Sequence, residues 1–307
     1  MDIVPAKPRP SSAQRLLIAL PFAWLIVFFL VPLLIVLKIS FSESAIALPP
    51  YAPLFHLASG WRGLEDFFAG LSFENYRRLG SDPLYVLSYV KSLEIAAFST
   101  LLLLLIGYPI AHGIARTPLR LRAVLVMLVV LPFWTSLLVR VYAWMNILQP
   151  DGLLNRLLLA LHLVRGPQVW LGTDTAIYIG IAYSYLPLMV LPLYAGLAKL
   201  DHSLIEAAVD LGCPRWKAFW LITLPLSSPG VLAGVLLCFI PIVGEFVIPD
   251  LLGDSRVPMI GQTIWMEFFG NKDWPAAAAV AVVLVCLLII PIVFLAHHAM
   301  RAANRSC

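Results

Sequence analysis

Three ionisable residues, Arg140, Glu245 and Asp250, stand within or beside long apolar stretches of the chain. An ionised side chain is costly in lipid, so a charge at such a position faces a partner or a water-filled path. Two chemistries fit. Arg140 and Glu245 can pair and pin two helices together. Alternatively, Glu245 and Asp250 supply negative charge to a route for a cationic solute, with Trp134, Tyr142, Trp144, Tyr183 and Tyr185 offering ring faces to its ammonium groups. Each such cation–π contact contributes about 0.5 to 2 kcal/mol. The same aromatic residues also suit an interfacial belt or ordinary helix packing. Glu94, near the outer end of another apolar run, is expected to snorkel or cap.

Bond-making chemistry has no comparable candidates. The patterns GxxxxGK[ST], HExxH and GxSxG do not occur, so no catalytic residue is expected and ATP cannot bind here through a phosphate loop. If ATP drives anything, the motor is another subunit, and no cofactor is expected on this chain. His297 and His298, at a helix end, are expected to be interfacial and not metal ligands. The four cysteines, Cys213, Cys238, Cys286 and Cys307, have no CxxC spacing, so neither a disulfide framework nor a metal site is expected.

What must position these residues follows from composition. Hydrophobic residues make up 61% of the chain, charged residues 12%, and the mean hydropathy is +0.91. A soluble domain carries about a quarter charged residues, so this is an integral membrane protein. Apolar runs of roughly twenty residues point to an all-α protein, because a helix satisfies its own backbone in lipid, whereas a barrel needs short alternating strands. The net charge of +4 is therefore explained by topology before nucleic acid.

Six transmembrane helices are expected, over residues 16–38, 92–115, 123–148, 176–197, 226–252 and 276–296. Between the first two lies a long external segment, 39–91, with prolines at 49, 50 and 53, the acidic pair Glu65 and Asp66, and FENYRRL around Tyr76, where short interfacial helices would fit. Further external loops hold the turn Pro150-Asp151-Gly152 and the stretch from Asp254 and Arg256 through WMEFFGNKDW. Arg116, Arg120 and Arg122 mark an inner turn. Lys and Arg are about twice as dense in the inner segments as in the outer ones, which places both termini, residues 1–15 with Lys7 and Arg9 and residues 297–307 with Arg301 and Arg305, in the cytoplasm. Gly230, Gly234 and Gly244 are expected to let helices approach closely.

One inner segment, 198–225, is polar and amphipathic between two apolar runs. Ser203 and Glu206 read as a capping box opening a helix with Leu204, Ala207, Ala208 and Leu211 on one face. Gly212 closes that helix, and Pro214 suits the first turn of the next, which carries Arg215, Trp216, Lys217, Phe219 and Trp220.

The pattern EAA at Glu206, Ala207 and Ala208, then Gly212, then ITLP ending at Pro225, resembles the EAA loop of permease subunits of binding-protein-dependent ABC importers. The segments GYPIAHGIAR, LPFWTSLLVRVYAW, IPIVGEFVIPDLLG and MIGQTIWMEFFGNKDWPAAAAVA make the chain most similar to the spermidine/putrescine permeases, of the putrescine type. The resemblance implies the type I importer permease fold, with residues 92–296 as its core and residues 39–91 in the periplasm. It further implies that the EAA loop is a coupling helix pair docking on an ATPase through Glu206, Ala207, Ala208, Gly212, Arg215, Trp216 and Lys217. A bacterial inner-membrane location is implied too. The expected partners are the lipid bilayer, a second homologous permease, two ATP-binding subunits carrying ATP and Mg, and a periplasmic polyamine-binding protein. No nucleic acid is expected. The same fold would also serve iron, thiamine, sulfate or phosphonate import, and a membrane scaffold or intramembrane enzyme are readings of other classes.

Overall fold

A computed structural model describes residues 12–53, 70–201, 203–254 and 256–305. Lys7, Arg9, Glu65, Asp66 and Cys307 lie outside them, as do the side chains of His297, His298, Arg301 and Arg305. The residues group into two compact units, one from 1–78 with 267–283, the other from 79–266 with 284–307.

The first unit opens with α1 (Ser12–Leu25), a π turn (Ile26–Leu30) and α2 (Val31–Ser40), of which Ala19–Ser40 is long and apolar enough to cross a membrane. The described residues of the segment that follows have structure of their own. A two-stranded ribbon pairs β1 (Glu43–Ser44) with β2 (Tyr51–Ala52), and α3 (Glu74–Ser81) is tied to the end of α2 through Asn75, whose Nδ2 donates to the Ser40 and Ser42 carbonyls at 3.0 and 2.8 Å. Arg78 pairs with Asp273 at 3.1 Å in the same unit.

The second unit begins with α4 (Pro83–Arg116), which starts well before the expected Ser92. Proline at the first helical position and Asp82, whose carboxylate accepts the Leu84 N–H at 2.9 Å, make a start signal there. Its C-terminal end is closed by Arg122, whose Nη2 donates to the carbonyls of Ala115 and Thr117 at 2.7 and 3.2 Å. A cation there also suits the helix dipole.

The third run is not the continuous helix expected over 123–148. It consists of α5 (Leu119–Val130), a 3₁₀ turn (Leu131–Trp134) and α6 (Leu137–Ile147), bent by 89°. Pro132 supplies no N–H, and Thr135 and Ser136 are extended, with ψ of 148° and 141°. The segment after it forms α7 (Leu153–Ala160), anchored by buried Asn155, which donates to three backbone carbonyls and accepts from Gln168 N and Trp170 Nε1.

Next comes α8 (Asp174–Leu197), capped by Thr173, and then a helical hairpin of α9 (Ser203–Asp210) and α10 (Arg215–Ala218). From α10 a π turn (Phe219–Thr223) and α11 (Leu224–Leu226) lead through a 63° bend at Ser227 into α12 (Ser228–Val243). That bend is held by a 2.8 Å hydrogen bond between the hydroxyls of Ser227 and buried Tyr108 of α4.

The fifth run was also expected to be continuous, to Leu252. It stops at Val243, turns at Gly244 to Phe246, and resumes as the short α13 (Val247–Leu252). The stretch through WMEFFG, expected as loop, is instead helical: α14 (Ile260–Trp265) with a π turn (Met266–Gly270). The last helix, α15, runs Trp274–Arg305. Among the described residues three helices are long and apolar enough to cross a membrane, up to five if each bent pair is one span, and Trp274–Ile290 is a shorter apolar stretch.

The core of the second unit is α4, α8 and α12, with Ile95, Leu103, Leu193, Cys238 and Ile242 fully buried between them. Glycines set the spacing of α8 and α12. A Cβ on Gly230 would lie 2.8 Å from the Pro192 carbonyl, and one on Gly234 would lie 2.8 Å from Met189 Sδ. Gly244 is different: a Cβ there would have its nearest neighbour 3.9 Å away, so the space beside it is not what calls for glycine at this end of α12.

Candidate functional site

The interruption after α12 presents one buried carboxylate. Glu245, 8% exposed, accepts the hydroxyl hydrogen of Tyr185 on Oε2, and its Oε1 accepts the N–H groups of Val247 and Ile248 at 3.1 and 3.4 Å. It therefore caps α13 while facing α8. The break is wedged from two sides. A Cβ on Gly180 of α8 would lie 2.7 Å from Leu252 Cδ1, and a Cβ on Gly261 of α14 would lie 2.5 Å from the Gly244 carbonyl oxygen and 2.7 Å from that of Glu245. At Gly261 the neighbours are backbone and cannot give way, whereas at Gly180 they are side-chain ends of Leu252 and Ile248. The Cys238 thiol donates to the Tyr185 backbone carbonyl at 3.8 Å.

Of the residues expected to line a cation path, the structure brings Tyr185 and Glu245 together. Asp250 is exposed on α13 and accepts from Gln262 Nε2 at 3.4 Å. Trp144 packs edge-on against Tyr183, ring centroids 5.7 Å apart, while Trp134 and Tyr142 are 74% and 51% exposed on the outside of their helices. Next to Glu245 lies an aromatic pair that went unnoticed: Phe246 and Trp265 stack at 4.7 Å with 13° between their planes. Phe246 sits within GEFVIP itself, so its adjacency to the carboxylate was readable, but Trp265 comes from α14, a helix the sequence reading missed.

The Arg140 to Glu245 ion pair is not formed. The carboxylate is already satisfied by Tyr185 and two N–H groups, and Arg140, 8% exposed, has its Nε and Nη1 without hydrogen-bond partners. The guanidinium instead lies over the Phe133 ring at 5.5 Å. Glu94 lies near the Lys91 to Asp174 ion pair that joins α4 to the start of α8.

The hairpin closes at Gly212, φ +83°, where the Gly212 N–H donates to the Val209 carbonyl and the Cys213 N–H to the Ala208 carbonyl, both at 2.9 Å. This pair of bonds ends a helix in the left-handed conformation that glycine adopts without strain. The cap at its start is Asp201, whose carboxylate accepts the Ser203 N–H at 3.0 Å, and not the Ser203 and Glu206 pair. Glu206, Ala207, Arg215 and Lys217 are exposed, Ala208 is half-buried, and Gly212 is exposed at the tip. Two large apolar side chains flank the turn uncovered: Leu211 is 89% and Trp216 64% exposed. Behind the hairpin, a cavity of about 610 Å³ is lined by Arg116, Arg122, Glu206, Asp210 and Arg215, among others.

Against known proteins, residues 104–301 match the family described as binding-protein-dependent transport system inner membrane component. The chain is 37% identical over 296 residues to the spermidine/putrescine transport system permease protein PotB of Haemophilus influenzae, covering 96% of each chain. It is 40% identical over 217 residues to PotB of Escherichia coli, covering 71% of this chain and 78% of that one. Among solved structures, a bacterial ABC transporter importing the acidic polysaccharide alginate is similar with TM-score 0.64 and 15% identity, over 93% of this chain and 95% of that one. The same alginate transporter, in complex with an alginate-bound periplasmic protein, gives TM-score 0.65 and 17% identity, over 94% and 98% of the two chains. With a family match across most of its length and relatives that align nearly end to end, the chain belongs to the inner-membrane permease components of binding-protein-dependent transport systems.

Proposed function

We propose that this permease imports a small organic polycation, putrescine or spermidine, and that ATP hydrolysed on partner subunits drives it through the α9 and α10 hairpin. The observation that carries this reading is the hairpin: the EAA spacing falls on a helix closed at Gly212, with Leu211 and Trp216 left uncovered beside it. Apolar side chains exposed together on a polar surface mark an interaction site. Glu206, Ala207, Ala208, Gly212, Arg215, Trp216 and Lys217 would meet the ATPase, whose ATP and Mg stay on that subunit. This requires the hairpin, and with it both termini, to be cytoplasmic.

In this mechanism the ATPases draw together on binding ATP and move the docked hairpin. The motion passes along the π turn and α11 to the bend at Ser227, where Tyr108 links it to α4. The membrane helices then exchange between inward-open and outward-open packings, and hydrolysis resets them. Inverting such an equilibrium from 1:99 to 99:1 takes about 5.5 kcal/mol of differential affinity between the two states. The motor need only supply that bias; no chemistry occurs on this chain.

Cargo follows from charge and kinship. A buried carboxylate in an interrupted helix could exchange its Tyr185 hydrogen bond for an ammonium group, and the relatives named for spermidine and putrescine align along nearly the whole chain. A second permease of the same kind and a periplasmic polyamine-binding protein complete the assembly. The test is uptake of labelled putrescine and spermidine by membranes containing this chain with those partners. ATP-dependent accumulation of either supports the reading, and accumulation of neither, with the assembly intact, overturns the cargo.

A further inference from the structure

The far end of α13 from Glu245 borders a separate cavity of about 300 Å³, lined by Lys91, Asp174, Pro249, Val257, Met259 and Gln262 among others. Ile95 and Ile177 also contribute apolar surface to its lining. Lys91 of α4 donates to Asp174 Oδ2, at the first residue of α8, and the two side chains remain 23% and 42% exposed. The other charges facing the cavity, Asp254 and Arg256, pair with each other at 2.7 Å.

The lysine side chain is itself a primary ammonium on four methylenes. That is the chemistry of a putrescine molecule seen from one end, and of the end groups of spermidine. A carboxylate and apolar walls that accommodate Lys91 would therefore accommodate the solute in the same way. Exchange is also cheap: a partly exposed ion pair contributes about 0 to 1 kcal/mol, so displacing Lys91 forfeits little. We propose that Asp174 is an entry site for primary alkylammonium groups and that Lys91 is its tethered occupant, displaced by the incoming solute on its way along α13 towards Glu245. This rests on the polycation reading above.

The test is initial-rate uptake of labelled putrescine by the complete importer in proteoliposomes, with wild-type chain, Lys91→Met, Asp174→Asn and the double variant. Removing the competitor should lower KM about fivefold, removing the carboxylate should raise it about fivefold, and the double variant should behave like Asp174→Asn, each shift being about 1 kcal/mol. A pair that only braces α4 against α8 gives another result: both single variants impair uptake and the double recovers, which overturns the entry site. Single variants with KM within about twofold of wild type overturn it too. A second readout survives a folding defect in those variants. Val257→Cys, on the cavity wall, is modified with a positively charged thiol reagent in the assembled importer and followed by mass spectrometry. Saturating putrescine should slow the modification, and an unchanged rate counts against the site. If the wild-type importer carries neither putrescine nor spermidine, the polycation reading fails and takes this site with it. If wild type carries them and the variants are flat, the entry site alone fails.

Discussion

Tyr185 of α8 donates its hydroxyl hydrogen to Glu245, in the interruption between α12 and α13, so one hydrogen bond joins an unbroken helix to a broken one. If the carboxylate serves a cationic solute, its charge matters more than its shape. Glu245→Gln keeps Oε1 to cap α13, removes the charge and puts an amide N–H where Oε2 accepted from Tyr185, so the tyrosine must accept instead of donate; kcat/KM for putrescine uptake should fall at least about tenfold, or 1.4 kcal/mol. Tyr185→Phe removes one hydrogen bond, worth about 1 kcal/mol, and should cost a few-fold. Uptake by Glu245→Gln at the wild-type rate would remove Glu245 from the path.

Gly261→Ala should destabilise the protein. Its Cβ would sit 2.5 Å from the Gly244 carbonyl oxygen and 2.7 Å from that of Glu245, and neither backbone atom can swing aside as a side-chain tip would. Overpacking of this kind costs about 1 to 3 kcal/mol. Thermal unfolding in detergent checks it, with Gly113→Ala as the comparison, since a Cβ there meets nothing within 4 Å. A transition for Gly261→Ala no lower than that for Gly113→Ala would contradict the close packing of α14 on the break.

Arg140 makes the opposite prediction. A buried guanidinium with two unpartnered nitrogens costs stability, and replacing a buried charge by an apolar side chain of similar length is often neutral or stabilising. Arg140→Met should leave the unfolding temperature unchanged or raise it. A clear drop would mean that Arg140 has a partner in the folded protein.

How much of this was legible depended on how local each signal is. The hairpin was readable because Gly212 closes it with bonds only a few residues long, although Asp201 rather than Ser203 caps it. The two breaks were not. Pro132 stands at one of them, but Pro109, Pro187 and Pro192 lie inside helices that run on, so a proline in an apolar run does not say which it will do. Neighbouring helices decide, by satisfying or not satisfying the freed carbonyls. The Lys91 and Asp174 pair joins residues 83 apart, and the Trp265 ring reaches Phe246 only through the fold. Periodicity within a segment carries no trace of either.

Gly212 itself is constrained by backbone and not by space. Nothing lies within 4 Å of where its Cβ would be, yet its φ is +83°. Asparagine visits that region routinely and valine does not. Gly212→Asn should keep most uptake, whereas Gly212→Val should lose it while the protein remains in the membrane. Equal activity in the two variants would show that the turn conformation is dispensable.

The docking of the hairpin is tested most directly by photocrosslinking from position 211 or 216 in the assembled importer. The two exposed side chains flanking Gly212 should give adducts with the ATP-binding subunit, at a yield that changes when ATP is trapped there. Adducts with lipid or the periplasmic protein alone, or labelling of these positions by a membrane-impermeant reagent added outside, would contradict the coupling role.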